Sequence, residues 1–307
     1  MLPFILRRVT QAVPVLILVS FAVFSIMFLL PGDAATLMLQ DTGASAEAVA
    51  RLRAQLGLDQ PPHMQYLRFV GNVLQGDLGT SLQSGRTVAQ ELRSSLPPTI
   101  ELALAAMLVA ILVGFATGIL ASLMRNTWGD TLMTGIALFG ISMPNFWLGL
   151  MLIFLFSINL QWFPVGGTGG LDRLVLPAVT LGFAFAGSIA RLTRSSMLEV
   201  LDQDYVRTAR AKGVFTRTLV LGHAFRNALL PVVTVLGLQL GQLLAGTVVV
   251  EFVFARQGLG SLLLASILTK DFQVVQIGIL FAAIVYLVTN LLVDILYTFI
   301  DPRIRRA

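Results

Sequence analysis

The sequence predicts an all-α polytopic membrane protein with six transmembrane helices. The chain has 307 residues, of which 56% are hydrophobic and 12% are charged, and its mean hydropathy is +0.84. This composition is too apolar for an ordinary soluble domain of that length. The apolar residues gather in six long stretches, and the basic residues gather between them. These observations favour one transmembrane domain over residues 1–307.

Each of the six apolar stretches is long enough for a helix to cross a bilayer. A hydrocarbon layer of about 30 Å needs about 20 apolar residues in a helix. The predicted spans are residues 9–30, 102–123, 131–157, 174–190, 230–250 and 274–299. The first could also be a cleaved signal peptide, but its 22 residues exceed a typical signal core, which favours a retained helix.

Two of the spans are unusual in length. The fourth has only 17 uncharged residues, between Arg173 and Arg191, and still spans because long charged side chains can reach the membrane interface. The third lies in an uncharged run from Thr131 to Leu171, which at 41 residues is too long for one helix. We expect that run to break near Trp162 and the glycine-rich turn at 166–170.

The distribution of Lys and Arg predicts the orientation. With a cytoplasmic N-terminus, three basic residues lie in short outer loops and five lie in residues 31–98, a segment long enough to translocate regardless of charge. The other 13 of the 21 are cytoplasmic: Arg7, Arg8, Arg125, Arg191, Arg194, Arg207, Arg210, Lys212, Arg217, Arg226, Arg303, Arg305 and Arg306. This imbalance predicts a multi-pass protein with both termini in the cytoplasm.

Residues 31–98 form the one sizeable segment expected outside the membrane. Apolar residues recur there at helical spacing, as in Val49, Leu52 and Leu56, and again from Tyr66 to Leu74. We therefore expect short helices that lie over the membrane surface. A solvated cap without a binding partner is the alternative interpretation.

Motifs of catalysis and nucleotide binding are missing from the sequence. It contains no GxxxxGK[ST], HExxH or GxSxG pattern, and His63 and His223 are predicted to lie on opposite sides of the membrane. The absence of cysteine excludes disulfides, thiolate metal sites and cysteine nucleophiles. The net charge of +5 is explained by membrane topology, so no nucleic acid partner is expected. We predict a chain that is not an enzyme and holds no cofactor.

A few polar residues inside the spans are candidates for a translocation path. Ser142, Pro144 and Asn145 interrupt the third span, and Gln239 and Gln242 lie within the fifth. In lipid such groups must face protein or water, so they either line a path or hydrogen bond between helices. Ser142, Asn145, Gln239 and Gln242 are retained as candidates.

Two pairs of glycines have the GxxxG spacing that permits close helix approach. They are Gly114 with Gly118 and Gly237 with Gly241. The spacing does not identify the partner helices.

The most specific signal is a basic island, DYVRTARAKGVFTRTLVLGHAFRNALLP, from Asp204 to Pro231. Tyr205, Ala209 and Gly213 recur every fourth residue and would fall on one face of a helix. A short helix with a small-residue face can fit closely into a cleft of a partner.

This island resembles the EAA loop of binding-protein-dependent ABC import permeases. The run QDYVRTARAKG resembles the corresponding segment in the peptide, nickel and glutathione branch of that family, and the chain is similar to the first of the two permease subunits in that branch. Arg207 and Thr208 stand where the general pattern has Glu and Ala. Six further motifs share the resemblance: LPGDAA at 30–35, LGLDQP at 56–61, GISMPNFWLG at 140–149, ARLTRSSMLEVL at 190–201, GLGSLL at 258–263 and NLLVDILYTFIDPRIR at 290–305.

The resemblance implies a type I ABC importer permease fold, a location in a bacterial inner membrane and a role in ATP-driven import. Residues 192–229 would be the cytoplasmic coupling loop, and 31–98 the extracytoplasmic insertion. The implied partners are a second homologous permease, two ABC ATPase subunits that carry ATP and Mg²⁺, an extracytoplasmic substrate-binding protein and the lipid bilayer. The residues expected to contact the ATPase are Asp204, Tyr205, Arg207, Thr208, Ala209, Arg210, Lys212 and Gly213.

The cargo implied by the resemblance is a di- or oligopeptide. Glutathione, a nickel chelate or another peptide-like solute is the alternative within the same architecture. A free-standing channel or secondary carrier is the alternative from a different class. Ion-coupled carriers usually hold ionisable groups in mid-span, whereas only Asp294 lies inside a predicted span here.

Overall fold

A computed structural model describes residues 2–29, 36, 45–56, 59–81 and 83–300. Within these residues the regular secondary structure is helical, apart from an isolated β-bridge between Thr80 and Thr87, and loops and turns join the helices. The LPGDAA motif at 30–35 and the basic C-terminal residues Arg303, Arg305 and Arg306 lie outside the described residues.

Eleven helices are numbered here in chain order. They are α1 (Leu2–Leu29), α2 (Ala46–Leu56), α3 (Pro62–Leu74), α4 (Val88–Leu123), α5 (Trp128–Ser142), α6 (Asn145–Leu152), α7 (Asp172–Leu201), α8 (Asp204–Ala211), α9 (Phe225–Val253), α10 (Leu259–Leu268) and α11 (Phe272–Ile300). A π-helical segment, Ile153–Asn159, extends α6. A short helical turn, Thr216–Thr218, and a second π-helical segment, Leu219–Ala224, lead into α9.

Five helices of the described chain are long and apolar enough to cross a membrane, and the bent pair formed by α5 and α6 makes a sixth if it is counted as one span. The five apolar stretches are Ile5–Ile26, Val88–Leu123, Asp172–Leu201, Pro231–Val253 and Phe272–Ile295. They confirm the predicted spans at 9–30, 102–123, 174–190, 230–250 and 274–299.

The predicted third span, 131–157, is not one straight helix. The axes of Trp128–Ser142 and Asn145–Asn159 differ by 108°. The bend falls where Met143 adopts an extended conformation, with φ −84° and ψ 129°. Proline disfavours helical geometry in the residue before it and donates no backbone hydrogen bond, so Pro144 ends α5 and starts α6. The helical run then ends at Asn159, three residues before Trp162, where the sequence predicts a break.

The described chain divides into two compact units. The first contains Met1–Pro97 and Gly258–Leu291. Its core joins the start of α4 to α10 and α11 through Val88, Leu92, Leu259, Val274 and Ile277.

The end of the predicted insertion belongs to this core, which was not expected. The Ser81 hydroxyl donates to Asp271 Oδ2 at 2.5 Å, and the Gln273 amide donates to the Leu78 carbonyl at 3.0 Å. Val88 and Leu92 are 0% and 2% exposed. Leu78, Ser81, Val88 and Leu92 are therefore structural, and the exposed remainder of 31–98 stays a candidate receiving surface.

The second unit contains Pro98–Gln257 and Leu292–Ala307 and is organised around α7. α7 is the most buried of the five long helices, and it packs against α5, α6 and α9. One face of it contributes Leu174, Leu181 and Ile189 to the core. Nearer its end, Met197 and Val200 pack with Val220 and Ala224 in the second π-helical segment and with Ala228 in α9.

Glycines allow other helices to approach α7 closely. A Cβ at Gly114 would lie 2.7 Å from the Ile189 side chain, and a Cβ at Gly118 would lie 2.6 Å from the Ala190 carbonyl oxygen. The first GxxxG pair therefore packs against α7. On the α5 side, a Cβ at Gly187 would overlap the Ala137 carbonyl oxygen. Only glycine fits these positions without a backbone shift.

We expect Gly187→Ala to destabilise the second unit by about 1–3 kcal/mol, because the added methyl group cannot be accommodated without moving α5. Gly135→Ala is the matched control on α5, since a Cβ there meets nothing within 4 Å. The midpoint of thermal unfolding in detergent measures both. Equal midpoints for the two variants would contradict close packing of α5 on α7.

Candidate coupling surface

α8 carries most of the residues predicted to meet a partner, and it is attached to the second unit along one side. Val206 is fully buried, and the Tyr205 hydroxyl accepts a hydrogen bond of 2.8 Å from the amide of Asn227 at the start of α9. Ala209 is half-buried. The remaining predicted residues are exposed: Asp204, Arg207, Thr208, Arg210, Lys212 and Gly213. The structure thus places a charged face outward on a short helix.

The predicted face of Tyr205, Ala209 and Gly213 is only partly correct. α8 ends at Ala211, so Gly213 lies beyond it with φ 75°. The Gly213 amide donates to the Arg210 carbonyl at 3.0 Å and the Val214 amide donates to the Ala209 carbonyl at 3.2 Å. This hydrogen-bond pair is the Schellman motif, in which glycine supplies the left-handed conformation. Gly213 therefore ends the helix, and a Cβ there would meet nothing within 4 Å.

The residues after α8 add an apolar element that the sequence analysis missed. Phe215 is 83% exposed, and Leu221, on the second π-helical segment, is 50% exposed. The same segment buries Leu219, Val220 and Ala224. A phenylalanine inside a strongly basic island was the available signal. Large apolar side chains beside a charged helix are typical of a contact surface.

Two ion pairs connect the α4–α5 turn to the end of α7, immediately before α8. The Arg194 guanidinium donates from Nε and Nη2 to the two Asp130 carboxylate oxygens, both at 2.7 Å. Arg125 donates to Asp202 at 3.0 Å. The Asp130 side chain is 9% exposed, whereas Arg125 and Asp202 are both more than half exposed. The Asp130 pair is therefore the stronger connection, and sequence reasoning missed it because the two residues are 64 positions apart.

A second polar cluster lies at the opposite end of α7. The Arg256 side chain is 1% exposed and donates to Glu101 Oε2 at 3.0 Å and to the Arg173 carbonyl at 3.2 Å. The Thr99 hydroxyl donates to the buried Glu251 carboxylate at 2.6 Å. By the predicted orientation this is the outer end. Nothing here resembles a catalytic arrangement, and within the described residues there is no group of three or more His, Asp or Glu side chains that could hold a metal ion.

The four candidate path residues occupy two places in the second unit. Ser142 and Asn145 flank the bend between α5 and α6, where Ser142 is exposed and Asn145 is half-buried. On α9, Gln242 is exposed, while Gln239 is 6% exposed and its Oε1 has no hydrogen-bond partner. The interhelical hydrogen bond considered for Gln239 is therefore not made through this oxygen.

Two family descriptions together match nearly the whole chain. "Binding-protein-dependent transport system inner membrane component" matches residues 110–306, and the corresponding N-terminal family matches residues 1–103. The chain belongs to this family of inner-membrane transport components. This permease is 46% identical over 305 residues to the glutathione transport system permease protein GsiC of Salmonella paratyphi A, covering 99% of each chain. It is 47% identical over 309 residues to a putative peptide transport system permease protein of Brucella abortus, covering 98% of each.

Solved structures confirm the fold. The MetNI methionine ABC transporter in an inward-facing conformation matches with a TM-score of 0.60 at 18% identity, over 69% of this permease and 97% of that chain. An amino acid ABC transporter matches with a TM-score of 0.53 at 16% identity, over 70% and 94%. The permease is a multi-pass inner-membrane protein with the ABC importer fold and is related over its full length to the peptide and glutathione branch.

We expect Arg194→Ala to destabilise the permease by about 1–3 kcal/mol, because it leaves the Asp130 carboxylate largely buried without its charged partner. Arg125→Ala removes the exposed pair and should cost no more than about 1 kcal/mol. Thermal unfolding of both purified variants in detergent checks the difference. Equal decreases in the unfolding midpoint would show that the Asp130–Arg194 pair stabilises the permease no more than the exposed Arg125–Asp202 pair does.

Proposed function

We propose that this chain forms half of the translocation path of an ATP-driven importer and couples to an ATPase through α8. The observation that carries the proposal is the position and exposure of α8. This short helix lies between two long helices, is held to the unit by Val206 and Tyr205, and has its charged residues exposed. Asp204, Arg207, Thr208, Arg210 and Lys212 would contact the ATPase directly. Gly213 would set where the helix ends.

The proposed assembly contains a second, similar permease, two ABC ATPase subunits and an extracytoplasmic binding protein. ATP and Mg²⁺ would be bound by the ATPases, and this chain would hold no cofactor. The early part of residues 31–98 would receive the binding protein, because Leu78, Val88 and Leu92 near its end pack in the core of the first unit. The family to which the chain belongs is one of binding-protein-dependent transport systems, which supports this assembly.

The proposed cargo is a di- or oligopeptide, with glutathione as the second candidate. Relatives named for peptide and for glutathione transport are 47% and 46% identical to this chain, so identity does not separate the two. Glutathione is itself a tripeptide, so both candidates share amide and carboxylate chemistry. A nickel chelate is the remaining candidate solute. The choice between them belongs to the binding protein that delivers the solute.

The bend between α5 and α6 is the best candidate for the path lining. α6 begins at Asn145 without a side-chain cap. The Trp147 and Leu148 amides donate to the Pro144 carbonyl, so the amides of Asn145 and Phe146 are the ones that need partners from outside the helix. In a membrane, such backbone is tolerated only against protein or a water-filled cavity. We therefore place Ser142 and Asn145 on the path. The unpaired Gln239 oxygen and the exposed Gln242 are the corresponding candidates on α9.

A pair of Gly213 variants tests the coupling role. Gly213→Asn adds bulk with little strain, since asparagine tolerates left-handed geometry, and Gly213→Glu adds bulk and charge. If α8 seats closely on an ATPase, both should lower uptake of labelled dipeptide or glutathione at least tenfold and reduce copurification of ATPase chains, with normal membrane levels.

The matched control is Gly76→Asn, because Gly76 follows α3 with φ 81° and the same hydrogen-bond pattern, and its Cβ would also meet nothing. That variant should retain its ATPase. Normal uptake by Gly213→Asn would sink the close-seating proposal. Purification of the wild-type permease without any ATPase would instead favour a free-standing channel or carrier.

Single-cysteine labelling tests the proposed topology, and the natural chain has no cysteine to interfere. We expect Ser84→Cys to react with an impermeant maleimide added outside spheroplasts. Phe215→Cys, at an exposed position, should react only after the membrane is opened. The opposite pattern would place both termini outside and move α8 away from the ATP-containing side.

A further inference from the structure

α3 in the outer segment is fastened to α1 within the apolar stretch of α1. The Tyr66 hydroxyl shares a hydrogen bond of 2.8 Å with Ser20, and the Tyr66 ring contacts Phe21 and Phe24 at centroid distances of 5.6 and 5.4 Å. Phe69 adds a further ring contact with Phe24 at 6.0 Å. These contacts fix the depth of α3 relative to α1.

Ser20 lies six residues before Ile26, where the apolar stretch Ile5–Ile26 ends. At a rise of about 1.5 Å per residue, this corresponds to about 9 Å along the helix. A helix that contacts α1 at this level cannot lie wholly in bulk water. The neighbouring surface of α1 is apolar as well, since Leu18 and Phe21 are 68% and 55% exposed.

Most side chains of α3 fall into three groups around its axis; Val70 lies between two of them, and His63, exposed in the first turn, lies at the edge of the apolar group. Tyr66, Phe69 and Val73 point to one side, where Tyr66 and Phe69 contact α1 and where Phe69 and Val73 join the core of the first unit. A second group is apolar and exposed: Met64 at 49%, Leu67 at 63% and Leu74 at 82%. The third group is polar and consists of Gln65, Arg68 and Asn72.

At about 100° per residue, the centres of these three groups are separated by about 120°. A helix with one face on protein, one apolar face and one polar face fits the boundary between lipid and water. In that position the face with Tyr66 and Phe69 contacts α1 in the plane of the membrane. The apolar face points towards the acyl chains, and the polar face points towards the headgroups. Arg68 then lies within reach of lipid phosphates.

We infer that α3 is an interfacial helix embedded in the outer leaflet, with Met64, Leu67 and Leu74 in contact with lipid acyl chains. The occupant of the apolar face is lipid, because this face continues the exposed apolar surface of α1 at the same depth. A binding protein arriving from the aqueous side would meet the polar face instead. The choice of the outer leaflet rests on the proposed topology, whereas the contact of α3 with acyl chains depends on neither the cargo nor the ATPase.

Spin labels on single cysteines in the intact importer, reconstituted in liposomes, test this assignment. Labels at positions 64, 67 and 74 should be at least several-fold more accessible to oxygen than to a water-soluble nickel chelate, as at the lipid reference Leu18→Cys. Labels at 68 and 72 should show the reverse preference, as at the aqueous reference Ser84→Cys.

Each outcome for the apolar face is decisive. A nickel-accessible label at 64, 67 and 74 would place that face in water and overturn the inference. Labels shielded from both reagents would show that a protein, either the second permease or the binding protein, covers the face. Because every substituted side chain in this set is exposed, the substitutions leave the core intact.

Discussion

The close approach of backbones around α7 is the constraint on which the second unit depends. Gly114, Gly118 and Gly187 remove the side chains that would hold α4 and α5 away. Within a bilayer, helices gain little from the hydrophobic effect because lipid is equally apolar, so association relies on contact at short range. These glycines provide that contact on both sides of one helix. The ends of α7 are thereby fixed, and both polar clusters of the unit are assembled on those ends.

The two ends of α7 are stabilised differently. At the proposed outer end, Arg256 is almost completely enclosed and bonds to Glu101 and to a backbone carbonyl. At the proposed cytoplasmic end, Asp130 and Arg194 form a bidentate pair next to the α4–α5 turn. Buried pairs of this kind require good geometry, because their desolvation is costly. These two pairs determine which interhelical turn contacts which end of α7. The segment that carries α8 therefore begins at a defined position in the second unit.

Much of the fold was predictable from the sequence, because long apolar stretches allow few alternatives in a membrane. Five spans and the position of the basic island follow from composition alone. The 108° bend between α5 and α6 could not be predicted, because a proline such as Pro144 is compatible with a slight kink as well as with a sharp bend. The angle depends on the packing of α6 against α7 and α9. The Asp130–Arg194 pair was also missed, because a long-range ion pair leaves no periodic pattern in one sequence.

The short helix in the basic island was predictable, but its end was not, and its role as a coupling site stays a prediction. The structure has the helix at Asp204–Ala211, yet Gly213 was assigned to a helical face when it in fact ends the helix. A repeat of four residues indicates a face only where the helix continues, and a glycine is also the commonest residue just after a helix. Val206 and Phe215 have opposite burial despite similar hydrophobicity. Only the three-dimensional arrangement shows that Val206 packs inside the unit while Phe215 is exposed on its surface.

The attachment of α8 separates the residues that hold it to the fold from those proposed to contact an ATPase. Val206 and Tyr205 hold the helix to the unit, while Arg207, Arg210 and Lys212 are exposed. Surface substitutions away from caps and cores usually change stability by no more than about 0.5 kcal/mol. The outward residues can therefore diverge at little cost to the fold. A bacterium that keeps several related importers could keep their ATPases apart by varying a handful of side chains on a common scaffold.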